Sequence, residues 1–477
     1  MNREKQLAKN TLIVSFGKIC TQFISFFLLP LYTAMLSTEE YGTVDLLNTY
    51  VSLLLPVIIL QIDQAVFRFL IDYREDEKEK KKLICTTTIT VFIQSIVFLI
   101  IFSIISIFIK NEYKYFLALN VVASIFSHTL LQISRGTGDN LTYSLGCLVS
   151  GGGSVILNVL FIVGFKWGAY GMLSATFIAN CLCALFVFFR KKIYKYIQIK
   201  NYSKERLKSL WKYSIPLVPN QLSWWIITVS DRTIVSYILG VGVNGVYSAA
   251  TKFSSICTTL FNIFNLTWAE SASMYINDND CSEYFSGILD VTLKLFGSLC
   301  LGIISFMPFV FKILITGDGY SEAYYQIPIL LTATFFNIFV AFLGSLYVAL
   351  KKSNEIAKTS IYSAVINISV NLILIKFIGL YAASISTLVA YLSMSIYRYI
   401  DVQKYVKLKI NKKFMIGFIV LSSIIFVLYY IRNRYICFIG ALMVSIFAIY
   451  NNKKIAFSII NSVKSKVLKK TICVNNR

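Results

Sequence analysis

Residues 168–212 read GAYGMLSATFIANCLCALFVFFRKKIYKYIQIKNYSKERLKSLWK: a run of 22 residues without a charge, then a block with nine Lys and Arg. An uncharged run of that length crosses a hydrocarbon core of ~30 Å as a helix. A basic block at one end of it marks the cytoplasmic side. Working outward, the same alternation extends in both directions. Fourteen apolar segments are predicted, at about 11–36, 42–70, 83–109, 115–134, 141–165, 168–189, 213–239, 245–272, 287–316, 325–350, 359–376, 378–400, 414–431 and 436–450. With the N-terminus inside, the inner gaps and tails hold 33 Lys/Arg and the outer gaps 6. That asymmetry places both termini in the cytoplasm. The chain is 57% hydrophobic with a mean hydropathy of +0.68, so the expected fold class is an all-α polytopic membrane protein.

The net charge of +23 follows this orientation rule and faces anionic inner-leaflet lipid. It forms no basic domain with interleaved aromatics, so nucleic acid is not an expected partner. Every gap between segments is too short for a folded domain, and no G-x-x-x-x-G-K-[ST] phosphate loop occurs. An enzyme is therefore not expected, and neither catalytic residues nor a cofactor are assigned. The first segment runs past Pro30 without a small-residue cleavage site and reads as a retained span. The ten cysteines are scattered without a C-x-x-C pair, which predicts neither a disulfide framework nor a metal site. His128, the one histidine, reads as a packed interior residue, and Asp278-Asn-Asp280 as a solvated turn.

Two internal matches appear in the same order. Leu36-Ser-Thr-Glu-Glu-Tyr-Gly42 corresponds to Leu239-Gly-Val-Gly-Val-Asn-Gly245, and Gly168-Ala-Tyr170 through Thr176 to Gly379-Leu-Tyr381 through Thr387. The offsets describe one duplication of six spans. An even number of spans makes both copies enter from the same side, a symmetry known in secondary transporters. The expected organisation is a six-helix bundle over 1–189, a basic cytoplasmic linker at 190–212, a second bundle over 213–400, an added helix pair at 401–450 and a basic tail at 451–477.

With Phe27-Leu-Leu-Pro30-Leu-Tyr-Thr-Ala-Met-Leu-Ser-Thr-Glu-Glu-Tyr-Gly42, Asp231-Arg232 after Pro216 and Pro219, and the repeated Gly-x-Tyr, the chain resembles Wzx-type polysaccharide flippases. These belong to the superfamily that also holds MATE exporters and lipid II flippases. The resemblance implies two pseudo-symmetric six-helix bundles and, as cargo, an oligosaccharide repeat unit on undecaprenyl pyrophosphate, moved from the inner to the outer leaflet for O-antigen, capsule or similar polysaccharide. It also implies a bacterial cytoplasmic membrane, with membrane lipid, a polysaccharide polymerase and other assembly proteins as partners.

Charged groups inside spans normally face protein or a wet cavity. Lys18, Arg232, Lys252 and Lys294 each lie about seven residues, or ~10 Å, inside their spans. They are the candidate ligands of a pyrophosphate or charged sugar, Arg through its fork and Lys as a point charge. Asp63, Asp231, Glu270 and Asp290 are the acidic counterparts, as ion-coupling or charge-balancing groups. Asp45 is given no role. Arg68, Lys312 and Arg398 are expected to snorkel to an interface. Pro30 and Pro216/Pro219 are expected to kink their helices. The alternative reading, a MATE-like ion-coupled exporter of small cationic molecules, favours an acidic cavity over this cationic one.

Overall fold

The computed structural model describes residues 26–453, with no strand among them. In chain order the helices are α1 (Leu29–Met35), α2 (Thr38–Ile58), α3 (Ile62–Asp72), α4 (Glu77–Ser106), α5 (Lys114–Gly136) and α6 (Asn140–Val159), which runs on through a π turn, Leu160–Gly164. There follow α7 (Gly168–Arg190), α8 (Lys204–Ser214), α9 (Leu217–Ile238), α10 (Val241–Tyr275), α11 (Cys281–Leu314) and α12 (Ala323–Ala349). The last are α13 (Ser353–Ile378), α14 (Tyr381–Val402), α15 (Lys412–Ile431) and α16 (Arg434–Lys453). Ten of these, α2, α4 to α7, α11 to α13, α15 and α16, are long and apolar enough to cross a membrane. The helices α9, α10 and α14 fall outside that set, and each carries charges within it, including Asp231-Arg232, Lys252 and Arg398.

Most of the first expected span lies outside the described residues. The second is not one helix. It breaks between α2 and α3, where Leu60 and Gln61 take left-handed backbone at φ 51° and 57°. Pro56, in the last turn of α2, has no N–H to continue the ladder. Residues on both sides of the break are apolar, so a hydropathy profile passes over it. Pro216 and Pro219 also act differently from expectation. Pro216 is the N-cap of α9 and Pro219 sits in its first turn, while Pro30 begins α1. There a missing N–H costs nothing, and these prolines start helices instead of kinking them.

Packing divides the chain into two compact units. The first takes residues up to Lys252 with Leu314–Ala323 and Ser360–Thr387; the second takes Phe253–Ile313, Tyr324–Thr359 and Leu388 onward.

In the first unit, Ser37 and Glu40 form a reciprocal capping box that starts α2. The glycines of the repeated motifs have these backbone roles. Gly168 and Gly379 both adopt left-handed backbone, at φ +55° and +58°, the first opening α7 and the second just before α14. Gly42 and Gly245 pack against each other. A Cβ on Gly42 would lie 2.0 Å from the Val241 carbonyl oxygen, and one on Gly245 would lie 2.0 Å from that of Thr38. Only glycine on both helices permits such an approach. Gly42→Ala or Gly245→Ala is expected to push α2 and α10 apart at a cost of about 2–3 kcal/mol. Thermal unfolding of the detergent-purified protein checks this, and an unchanged midpoint would show that the helices separate freely.

The linker at 190–212 contains a helix, α8, capped by Ser203. Arg206 fixes it to the bundle, pairing with Glu79 at 2.6 Å and lying over the Tyr73 ring. On the same side of the molecule Asp139 caps α6 and meets Lys191 at 3.2 Å. Burial pulls the Asp139 carboxyl upward, but the Thr142 N–H and hydroxyl and the Lys191 ammonium outweigh it and hold it below the usual carboxylate range.

In the second unit, aromatic stacks join the helices: Trp268 on Phe342, Phe335 on Phe418 and Tyr324 on Tyr429, with centroids 4.1–4.2 Å apart. Gly297 lets α11 come close to Phe335, Phe414 and Phe418. The added pair α15–α16 is thus packed against α11 and α12. Arg398, expected at an interface, is instead 1% exposed. Its Nε donates to Thr359 Oγ1 at 3.0 Å and its guanidinium to the carbonyls of Val340 at 3.1 Å and Ile356 at 3.4 Å. A Cβ on Gly344 would lie 2.9 Å from this guanidinium, so the glycine makes its room. These acceptors inside the unit remove the need to reach water.

Candidate functional site

The helix α9 carries Asp231 and Arg232 in sequence, and successive residues on a helix point about 100° apart. The two side chains therefore serve different neighbours.

Arg232 turns to α2. Its guanidinium pairs with Asp45 at 3.0 Å and donates to Thr251 Oγ1 at 3.4 Å. Asp45 is 8% exposed and also accepts from the amide of Asn244, a fully buried residue that bonds the Gly42 carbonyl at 3.1 Å. Lys252 lies within electrostatic reach of both Asp45 and Arg232. One carboxylate therefore lies within reach of two cations. The Gly42–Gly245 contact brings this cluster together, because it sets α2 against the start of α10.

Asp231 turns to α13 and α14 and is 3% exposed. Its carboxylate accepts from Asn371 Nδ2 at 2.9 Å, Thr387 Oγ1 at 2.5 Å, Tyr247 Oη at 3.3 Å and Ser386 Oγ at 3.5 Å. All four donors are neutral. The other amide atom of Asn371, Oδ1, is buried and has no hydrogen-bond partner among the described residues. Asn367, one turn before Asn371, meets Ser230 and Thr387. A cage of neutral donors holds a carboxylate in place without cancelling its charge.

The other expected site residues are placed elsewhere. Lys18 lies outside the described residues. Lys294 and Asp290, both in the second unit, pair with each other at 2.5 Å along α11. Glu270 is exposed on α10 and makes no ion pair among the described residues. Asp63 is 3% exposed near the start of α3, accepting from Gln64 at 2.9 Å, with its second oxygen unpartnered. His128, expected to be packed inside, is exposed on α5 and within electrostatic reach of Asp63. No group of three metal-ligating His, Cys, Asp or Glu occurs among the described residues.

The sequence reading missed Asp45, Asn244, Tyr247, Asn371 and Thr387. Asn367 and Asn371, four residues apart on one face of an apolar helix, and Thr387 in the repeated motif are the signals it offers. Nothing in the sequence marks Asp45 as the partner of a residue 187 positions away.

The fold is that of known solved transporters. The chain is similar to the lipid II flippase MurJ in an inward closed conformation, at 16% identity and a TM-score of 0.69, covering 94% of this chain and 100% of that one. It is likewise similar to an inward-facing multidrug resistance MATE family transporter of the MOP superfamily, at 14% identity and a TM-score of 0.68, covering 80% and 95%. No curated protein matches by sequence. Residues 7–268, more than half of the chain, match the family described as polysaccharide biosynthesis protein, and the chain belongs to that family.

Proposed function

We propose that the protein is a flippase that carries undecaprenyl-pyrophosphate-linked oligosaccharide repeat units from the cytoplasmic to the outer leaflet by alternating access. The observation that carries this reading is the polysaccharide biosynthesis family match on a fold otherwise seen in membrane transporters. In this reading the protein lies in a bacterial cytoplasmic membrane with both termini inside, and the two six-helix halves move against each other. It is a carrier and not an enzyme, and a polymerase and further assembly proteins take over its cargo.

Arg232 and Lys252 suit a pyrophosphate or an acidic sugar. Lys18 and Lys294 complete the set proposed from the sequence. Asp231 takes the coupling cation, a proton or a sodium ion, for which the unpartnered Asn371 Oδ1 is a second oxygen ligand. Asp63, Asp290 and Glu270 balance charge. Two cations beside Asp45 disfavour the small-cation exporter.

In cells lacking the protein, single repeat units are expected to accumulate on the cytoplasmic leaflet, and wild type is expected to clear them. Arg232→Ala with Lys18→Ala is expected to lower clearance by about tenfold or more, since a charged partner is worth ~2 kcal/mol or above. Leaflet-resolved analysis of the lipid-linked glycans reads this directly. Normal arrival of single units outside in the deletion strain would refute the flippase reading.

A further inference from the structure

The chain has a second region where positive charge meets apolar surface, away from Asp231 and Arg232. Between α4 and α8 lies a cavity of about 440 Å³ whose wall is mainly Ile58, Ile93, Val97, Phe98, Ile101 and Leu207. It runs along α4 from Thr90 to Ile101, eleven residues or ~16 Å. Ile93, Val97 and Ile101 are each about half exposed, so the groove is open along its side. A second cavity of about 650 Å³ continues it past Tyr202, Leu207 and Trp211. Its rim is Lys204, Lys208 and Lys212.

The three lysines recur every four residues and so share one face of α8. All are exposed, and none forms an ion pair among the described residues. They are not what holds α8 in place, which is Arg206 with Glu79 and Tyr73 on another face.

We propose that this groove is a binding site for one anionic phospholipid of the inner leaflet. Its phosphate lies at Lys204, Lys208 and Lys212, and one acyl chain lies along α4. The length decides between lipids. One leaflet is about half of the ~30 Å hydrocarbon core, so the groove matches a single acyl chain, and a long polyprenyl tail would overrun it. The charge decides the head group, because three ammonium groups attract a phosphate without a compensating amine. The site does not depend on the proposed transport activity.

The test uses the full-length protein in nanodiscs of mixed phosphatidylglycerol and phosphatidylethanolamine, with the lipids retained after purification measured by native mass spectrometry. Wild type is expected to retain phosphatidylglycerol roughly a hundredfold over phosphatidylethanolamine at low salt, the three basic residues acting together. The combined K204Q, K208Q and K212Q variant is expected to lose that preference, and the wide Val97→Trp to exclude both lipids from the groove. Equal retention of the two lipids by wild type would overturn the proposal. So would a preference that survives both the lysine and the Val97 variants, or displacement of phosphatidylglycerol by an undecaprenyl phosphate probe seated there. Unchanged elution on size exclusion shows that the variants are folded.

Discussion

Asp231→Asn is expected to lower transport about a hundredfold while the protein stays folded and in the membrane at its usual level. The substitution keeps the shape of the side chain, and the hydroxyls of Ser386, Thr387 and Tyr247 can turn to accept as well as donate. What is lost is the negative charge. Losing a charge-assisted contact to a coupling cation is worth ~1.5–3 kcal/mol, which corresponds to roughly 10- to 150-fold. Burying an ionised carboxylate carries a cost, so the unfolding midpoint of this variant is expected to stay the same or rise. Asp231→Ala differs in kind. It strands the Asn371 amide, and it is expected to destabilise the protein by about 1–3 kcal/mol as well. Transport by reconstituted protein under imposed sodium or proton gradients, beside thermal unfolding, separates the two effects. Wild-type turnover by Asp231→Asn would leave Asp231 a purely structural residue.

Arg398→Ala is expected to cost on the order of 3 kcal/mol, through the cavity left by one of the largest fully buried side chains and through acceptors deprived of donors. The guanidinium bonds two carbonyls on different helices, Val340 on α12 and Ile356 on α13, and the Thr359 hydroxyl. An ammonium reaches fewer of these at once. Arg398→Lys is therefore expected to recover only part of the loss. Folded yield after membrane extraction and the unfolding midpoint both report it. A midpoint within experimental error of wild type for Arg398→Ala would mean that α12, α13 and α14 are held together by apolar packing alone.

The sequence carried the helices further than it carried their partners. Charge-free runs ended by basic residues place α5, α7 and α15 to within two residues, because membrane insertion is decided segment by segment. The break at Leu60–Gln61 escaped, since a left-handed pair of ordinary residues leaves no compositional mark. Arg398 was misjudged for a related reason. Distance from a helix end indicates whether a side chain can reach an interface, but not whether carbonyls nearer by will take it. The candidate site was half legible. Asp231 and Arg232 stand out as charges inside an apolar run, whereas Asp45 and the cage around Asp231 depend on pairings across more than a hundred residues.

The contact between Gly42 and Gly245 also bears on how the protein tolerates change. Equivalent positions of a repeated motif are ordinarily each free to accept changes that the other does not share. Here the two positions are each other's neighbours. Since both are already the smallest residue, enlargement of one has no remedy in shrinkage of the other. A mutational scan of this protein should therefore find two equally intolerant positions without compensating pairs, a joint constraint that outlasts divergence of the sequences around them.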